Sequence, residues 1–158
     1  MNKIDPNVYE EVNLDDSDYN CSVDFEHMRM IRPWGYYEVL ASGPGYLVKR
    51  ITVEPGKRTS LQWHEERDED WFVISGFGDV DHNLLDKLAK TPHRVQRIVD
   101  IDGFRNCHIY KGRTHRLSNT GTEPLVIIEV QTSGQADGCR EDDIHRIEDD
   151  YGREVEEE

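Results

Sequence analysis

Apolar and polar positions alternate in short runs along most of the chain, and turn-forming residues separate the runs. In 46–53, for example, Leu47, Ile51 and Val53 fall on one face of an extended strand, and Tyr46, Val48, Arg50 and Thr52 on the other. The same pattern predicts strands over 36–41, 58–64, 70–75, 79–81, 94–101, 105–110, 115–118 and 125–132. Breaks fall at Ser42-Gly43-Pro44-Gly45, Pro55-Gly56, Gly76-Phe77-Gly78, Asp102-Gly103 and Asn119-Thr120-Gly121-Thr122. Many short strands with turns about every 8 to 12 positions predict an all-β sandwich or barrel. One stretch departs from the period of two. Leu84, Leu85, Leu88 and Ala89 share a helical face before Pro92, so a short helix at 83–90 and an irregular loop both fit.

The ends of the chain read differently. Residues 1–30 are polar and acidic without a period, which predicts a partly disordered or extended arm. The β-domain is expected over 31–133. Small and polar residues at 133–138 form a linker, and 134–158 reads as an acidic tail or short helix.

Composition narrows the partners. A chain of 158 residues with net charge −14 suits one domain and is poorly matched to nucleic acid or an anionic membrane surface. No apolar run approaches the ~20 residues a membrane span needs, and no cationic start leads into an apolar stretch, so a soluble, cytoplasmic protein is expected. Cys21, Cys107 and Cys139 are odd in number and irregularly spaced, which indicates reduced thiols. Because so acidic a chain repels anions at long range, a phosphorylated substrate would require a local basic pocket.

The candidate chemistry lies in PGKRTSLQWHEERDEDWFVISG, residues 55–76, and KGRTHRLSN, residues 111–119. Gln62 and His64 are two apart and leave the same face of a strand, and Glu69 returns toward them after the charged turn EERD. His115 supplies a fourth group. Two imidazoles, one carboxylate and one amide suit a divalent ion, with zinc first and manganese, iron, cobalt or nickel as alternatives. Singly, each of these residues has an ordinary explanation: a packed strand histidine, or a surface ion pair between Glu69 and Arg67. Their joint spacing is what points to a metal.

That spacing resembles the cupin family, whose first motif runs from Gly56 through Gln62, His64 and Glu69 to Gly76, with Gln in place of the first His. Its second motif is met by Gly112, His115 and Asn119, with Tyr110 where Pro is usual. Arg32-Pro33-Trp34-Gly35, the run Lys49-Arg50-Ile51, Ser60-Leu61-Gln62 and the closing EDDI-x-R-x-EDDYGR sharpen the resemblance to one branch. That branch is the sugar-phosphate isomerase domain that ends bifunctional mannose-6-phosphate isomerase/mannose-1-phosphate guanylyltransferases. It implies a jelly-roll barrel and a homodimer. It also implies a metal-dependent isomerase interconverting mannose 6-phosphate and fructose 6-phosphate, with a small-molecule sugar phosphate as partner.

In such an enzyme the metal would act as electrophile on an enediolate, and a base would move the proton. Glu69 and Glu66 are the candidate carboxylates, although Glu66, in the turn, equally fits a solvent-facing acid. The branch usually reads H-H-H-R-x-E-H-W where this chain reads HEERDEDW, so acids at 65, 66 and 70 stand in place of three imidazoles. Arg50 is the first candidate for the phosphate and for a catalytic role, with Lys49, Arg58, Arg67 and Arg116 beside it; a barrel-surface cation is the alternative for Arg50. Trp34, Tyr37, Trp63 and Trp71 could line a sugar site or simply pack in the core. Two other readings stay open. One is a non-catalytic metal-containing cupin that binds a sugar or protein partner, and the other is a different cupin enzyme, such as an epimerase or dioxygenase.

Overall fold

The computed structural model describes residues 22–24, 29–82, 94–98 and 106–155. Among these, twelve strands form two antiparallel sheets. In chain order they are β1 (Ser22–Asp24), β2 (Arg29–Arg32), β3 (Gly35–Gly43), β4 (Tyr46–Val53), β5 (Leu61–Trp63) and β6 (Arg67–Ser75). The second half supplies β7 (Gly78–His82), β8 (Arg94–Ile98), β9 (Asn106–Ile109), β10 (His115–Asn119), β11 (Leu125–Ser133) and β12 (His145–Glu148). One sheet has the order β1-β2-β3-β4-β11-β6-β9 and the other β12-β5-β10-β7-β8. Neighbours in space are mostly distant in sequence, as Greek-key connections require, and the result is the all-β, cupin-type double-stranded β-helix. The short helix expected at 83–90 lies outside the described residues.

The alternation seen in the sequence sets the interior. Apolar residues at every second position of β4, β6 and β11 form a nearly sealed core with Val80 of β7 and Leu117 of β10; Val53, Val80, Leu125 and Ile127 have no exposed surface. Register carries this pattern across the large sheet. Ile51, Ile127 and Val73 stand on one rung, while two residues further along the same face Lys49, Glu129 and Trp71 form the next. The rung after that pairs Gln131 with Glu69. The inner face thus passes from apolar to polar along the barrel.

Both acidic ends contribute to the sheets. Residues 22–24 pair with 29–31, and Met30 is buried in the core, so part of the stretch read as an arm is strand. In the C-terminal stretch, read as a tail or short helix, residues 145–148 are instead strand β12. The cause is the partner: β12 pairs with β5, and the His145 ring stacks on Trp63 at 4.0 Å between centroids and 13° between planes.

Glycine is required at the turn that leads β6 into β7. Gly76 has φ 87°, and a Cβ there would lie 2.5 Å from the Pro124 carbonyl oxygen.

Candidate metal centre

His64 follows β5, Glu69 lies on β6 and His115 opens β10, so three elements from both sheets deliver one side chain each. All three are essentially sealed from solvent, at 1%, 1% and 0% exposure. One ligand atom from each lies within 4.8 Å of the others. His64 Nε2 is 3.0 Å from Glu69 Oε1 and His115 Nε2 is 3.4 Å from Glu69 Oε2. The loop before β10 is locked against the first histidine, because Gly112, at φ 73°, donates its N–H to the His64 carbonyl at 2.6 Å.

The hydrogen bonds set the tautomers. His64 Nδ1–H donates to the Asp143 carbonyl at 2.5 Å and His115 Nδ1–H to the Arg113 carbonyl at 2.9 Å. Each ring therefore turns an Nε2 lone pair toward the shared carboxylate, the arrangement in which a backbone carbonyl orients a metal-ligating imidazole. His115 Nε2 is buried without a hydrogen-bond partner, which an ion would supply. Burial pushes the His64 imidazolium down to about 4 against the pull of Glu69, so the ring is neutral at pH 7 and free to bind a cation. Burial alone would push the Glu69 carboxyl up; the charge and hydrogen bonds that the two histidines supply only when protonated outweigh it and hold Glu69 well below the usual carboxylate range, so Glu69 stays ionised beside the neutral rings. The donor set fits a divalent ion of the zinc, manganese or iron type.

Gln62, the fourth candidate, stands opposite His115 across β5 and β10, so both side chains take the same face, and it lines the adjoining pocket. Its amide oxygen accepts from Ser60 Oγ at 2.7 Å.

Arg67 is part of the centre. Its buried guanidinium donates from Nε to Glu69 Oε1 at 3.1 Å and from Nη1 to the carbonyls of Arg140 and Asp143 at 2.8 and 2.7 Å. Nη2 also lies 3.3 Å from His64 Nε2. Asp143 completes the frame, its carboxylate accepting from the backbone N–H groups of Glu65 and Glu66 at 2.8 and 3.2 Å. That contact shapes the turn carrying Glu66, a half-buried residue that is not part of the pocket wall.

Arg50 does not face the site. It lies outside the barrel, 46% exposed, in a two-bond ion pair with Glu38 at 2.6 and 2.8 Å. Lys49, one residue earlier, points inward and is 5% exposed. Arg58 is paired with Asp150 and Arg116 with Glu148, both away from the pocket wall. Of the four aromatic candidates, Trp34, Tyr37 and Trp71 line the pocket, whereas Trp63 is stacked on His145.

The pocket beside the three ligands carries five cations, Arg32, Lys49, Arg67, Arg146 and Arg153, against the carboxylates Glu69, Glu129 and Glu141. Cations gathered at one pocket of a chain of net charge −14 are a feature an anionic ligand can use; Lys49 is paired with Glu141, Arg67 with Glu69 and Arg153 with Asp149. Arg32, Glu129, Gln131, Glu141, Arg146 and Arg153 were not singled out as site residues from the sequence. Glu129 and Gln131 follow Leu125 and Ile127 at every second position of β11, so inward polar positions on an otherwise apolar strand face were the signal. Glu141, Arg146 and Arg153 lie in the shared closing run EDDI-x-R-x-EDDYGR and Arg32 in Arg32-Pro33-Trp34-Gly35, so those shared runs were their signal, although the acid-rich stretch otherwise reads as solvated. Trp71 Nε1 bridges Glu69 and Glu129 at 3.1 and 3.0 Å, and Gln131 Nε2 donates to Glu129 at 2.8 Å. Burial, with the nearby Glu69 charge, pushes the Glu129 carboxyl up to about 7.

The sequence profile described as mannose-6-phosphate isomerase C-terminal matches residues 20–149. The chain belongs to this family. Curated relatives include the xanthan biosynthesis protein XanB of Xanthomonas campestris, 42% identical over 127 residues, which cover 80% of this chain and 24% of that protein. The alginate biosynthesis protein AlgA of Pseudomonas aeruginosa is 42% identical over 130 residues, covering 82% and 24%. A mannose-1-phosphate guanylyltransferase of Escherichia coli is 38% identical over 127 residues, covering 80% and 23%. Among solved structures, the capsular polysaccharide assembling protein CapF of Staphylococcus aureus superposes with a TM-score of 0.62 at 19% identity. That match covers 77% of this chain and 34% of the CapF chain, and it supports the cupin fold.

These relatives correct the functional expectation. They are named for xanthan and alginate biosynthesis and for guanylyltransfer, and the chain spans about 24% of the length of the first two. The chain is therefore a cupin domain of the family described as mannose-6-phosphate isomerase C-terminal. Interconversion of mannose 6-phosphate and fructose 6-phosphate as this chain's own function is overturned. Among the described residues, no helix is long and apolar enough to cross a membrane.

Proposed function

We propose that this cupin binds one divalent metal through His64, Glu69 and His115 and, beside it, a phosphorylated sugar of the mannose series. Support for the metal comes from the buried convergence of three ligand atoms within 4.8 Å, with both histidines presenting Nε2. Support for the phosphate comes from the basic pocket next to them. Zinc is the first candidate by ligand chemistry, and manganese and iron fit the same donors.

A bound ion would supply a Lewis acid for a sugar oxygen and leave positions open for it. The chain's own residues do the rest. Arg67 holds Glu69 in place, Trp71 presents an N–H to two carboxylates and an aromatic wall to the sugar, and Lys49 brings a positive charge to the inner face.

Titration calorimetry with mannose 6-phosphate and with mannose tests this, on protein loaded with zinc or manganese and on chelator-treated protein. Metal-dependent binding of the phosphorylated sugar in clear preference to mannose is expected. Equal affinity for the two sugars, or no binding to metal-loaded protein, would contradict it.

A further inference from the structure

Lys49 does not stand alone on the inner face. Its Nζ meets Glu141 Oε1, and the Tyr37 hydroxyl donates to Glu141 Oε2 at 3.0 Å. The Tyr37 ring in turn lies 4.6 Å from Lys49 Nζ and 5.2 Å from Arg32 Cζ, while Arg32 Nη2 donates to the Tyr37 hydroxyl at 3.4 Å. An ammonium, a phenol hydroxyl and a guanidinium thus gather around one carboxylate.

The cradle and its occupant differ in origin. Lys49, Tyr37 and Arg32 sit on β4, β3 and β2, on a rigid sheet. Glu141 belongs to the loop before β12, and its side chain is 26% exposed against 6% for Lys49, so the carboxylate enters from the solvent side. The loop is anchored on either side of it by the carbonyls of Arg140 and Asp143, both held by Arg67. A swing of one side chain would open the cradle without unfolding the loop. Burial opposes the Glu141 charge, and the Lys49 charge and its hydrogen bonds overcome that and hold the carboxyl down to about 2, so an anion sits there at any ordinary pH.

We propose that Lys49, Tyr37 and Arg32 form a phosphate-monoester subsite that the Glu141 carboxylate occupies as an internal anion until a sugar phosphate displaces it. This deepens the proposed sugar-phosphate function and rests on it for the identity of the ligand. A phosphate offers the same cradle two or more acceptor oxygens and more charge than a carboxylate. Competition by Glu141 lowers the apparent affinity by the fraction of time the cradle is open.

Binding of inorganic phosphate is measured by calorimetry on the metal-loaded full chain, for the wild type, Glu141→Gln and the charge-neutral pair Lys49→Gln with Glu141→Gln. Removing the competitor should tighten phosphate binding about tenfold or more, and the double variant should lose it. Should Glu141→Gln not fold, the rise in thermal midpoint that phosphate gives the wild type must disappear in the double variant. Phosphate affinity unchanged in Glu141→Gln, or a thermal shift retained in the double variant, overturns the subsite. Mannose 6-phosphate is titrated into the wild type in parallel. If it binds while Glu141→Gln leaves phosphate affinity unchanged, the subsite fails and the functional proposal stands. If it does not bind while Glu141→Gln gains phosphate, the subsite stands and the functional proposal fails.

Discussion

The two ends of the barrel interior are built by the same alternation and do opposite work. At one end Val53, Val80, Leu125, Ile127 and Leu117 are sealed, and every atom removed from water there stabilises the fold. At the other end His64, Glu69, His115, Glu129, Gln131 and Lys49 are almost as deeply buried, each at 5% exposure or less, although burial of charge opposes folding. Strands β4 and β11 run through both ends, so apolar packing at the first can hold costly groups in place at the second. The polar end is tolerable because its charges interlock: Arg67 on Glu69, Lys49 on Glu141, and Trp71 between two carboxylates.

The largest separation of the two ends should come from Ile127→Ala. Deleting a fully buried branched side chain should lower unfolding free energy by about 2–5 kcal/mol, read by urea denaturation, while the folded fraction retains its metal stoichiometry. Loss of metal in the folded fraction would show that the ends are not separable.

A smaller effect of opposite sign is expected from Glu129→Gln in the metal-free protein. With the folded carboxyl raised to about 7 and an ordinary value of 4.5, ionised Glu129 disfavours the folded state as pH rises through that window and fully above it. Its removal should stabilise the protein at pH 8 by an amount on the order of 3 kcal/mol, and by little at pH 4. Thermal melts at the two pH values check this; equal shifts would mean that Glu129 is not held protonated.

The smallest effect should be at Arg50. Arg50→Ala breaks a half-exposed pair and should cost roughly 0.2–1 kcal/mol, with no change in sugar-phosphate binding. Lys49→Gln, one residue away but inward, should weaken that binding clearly. Equal effects of the two on calorimetric affinity would contradict the assigned faces.

Much of the barrel and the convergence of three candidate ligands are legible in the sequence, for a physical reason. Period-two alternation and turn glycines are local, and the distance from His64 to Glu69 is one hairpin. Alternation from Leu47 to Ile51 also places Lys49 inward, whereas the shared Lys49-Arg50-Ile51 run favours Arg50; the structure follows the alternation. Glu141 and Asp143 are legible only as members of the shared EDDI run, which does not say where their side chains go. Their partners Lys49, Tyr37 and Arg67 lie far back along the chain, so an acidic run gives no local sign that two of its members enter the barrel.

Elemental analysis of purified protein, with His115→Ala and Glu69→Gln as controls, tests the central claim most directly. One divalent ion per chain in the wild type, lost in both variants while their strand content is retained, is the predicted result. A wild-type protein that cannot be loaded with zinc, manganese, iron, cobalt or nickel to near one equivalent would contradict it.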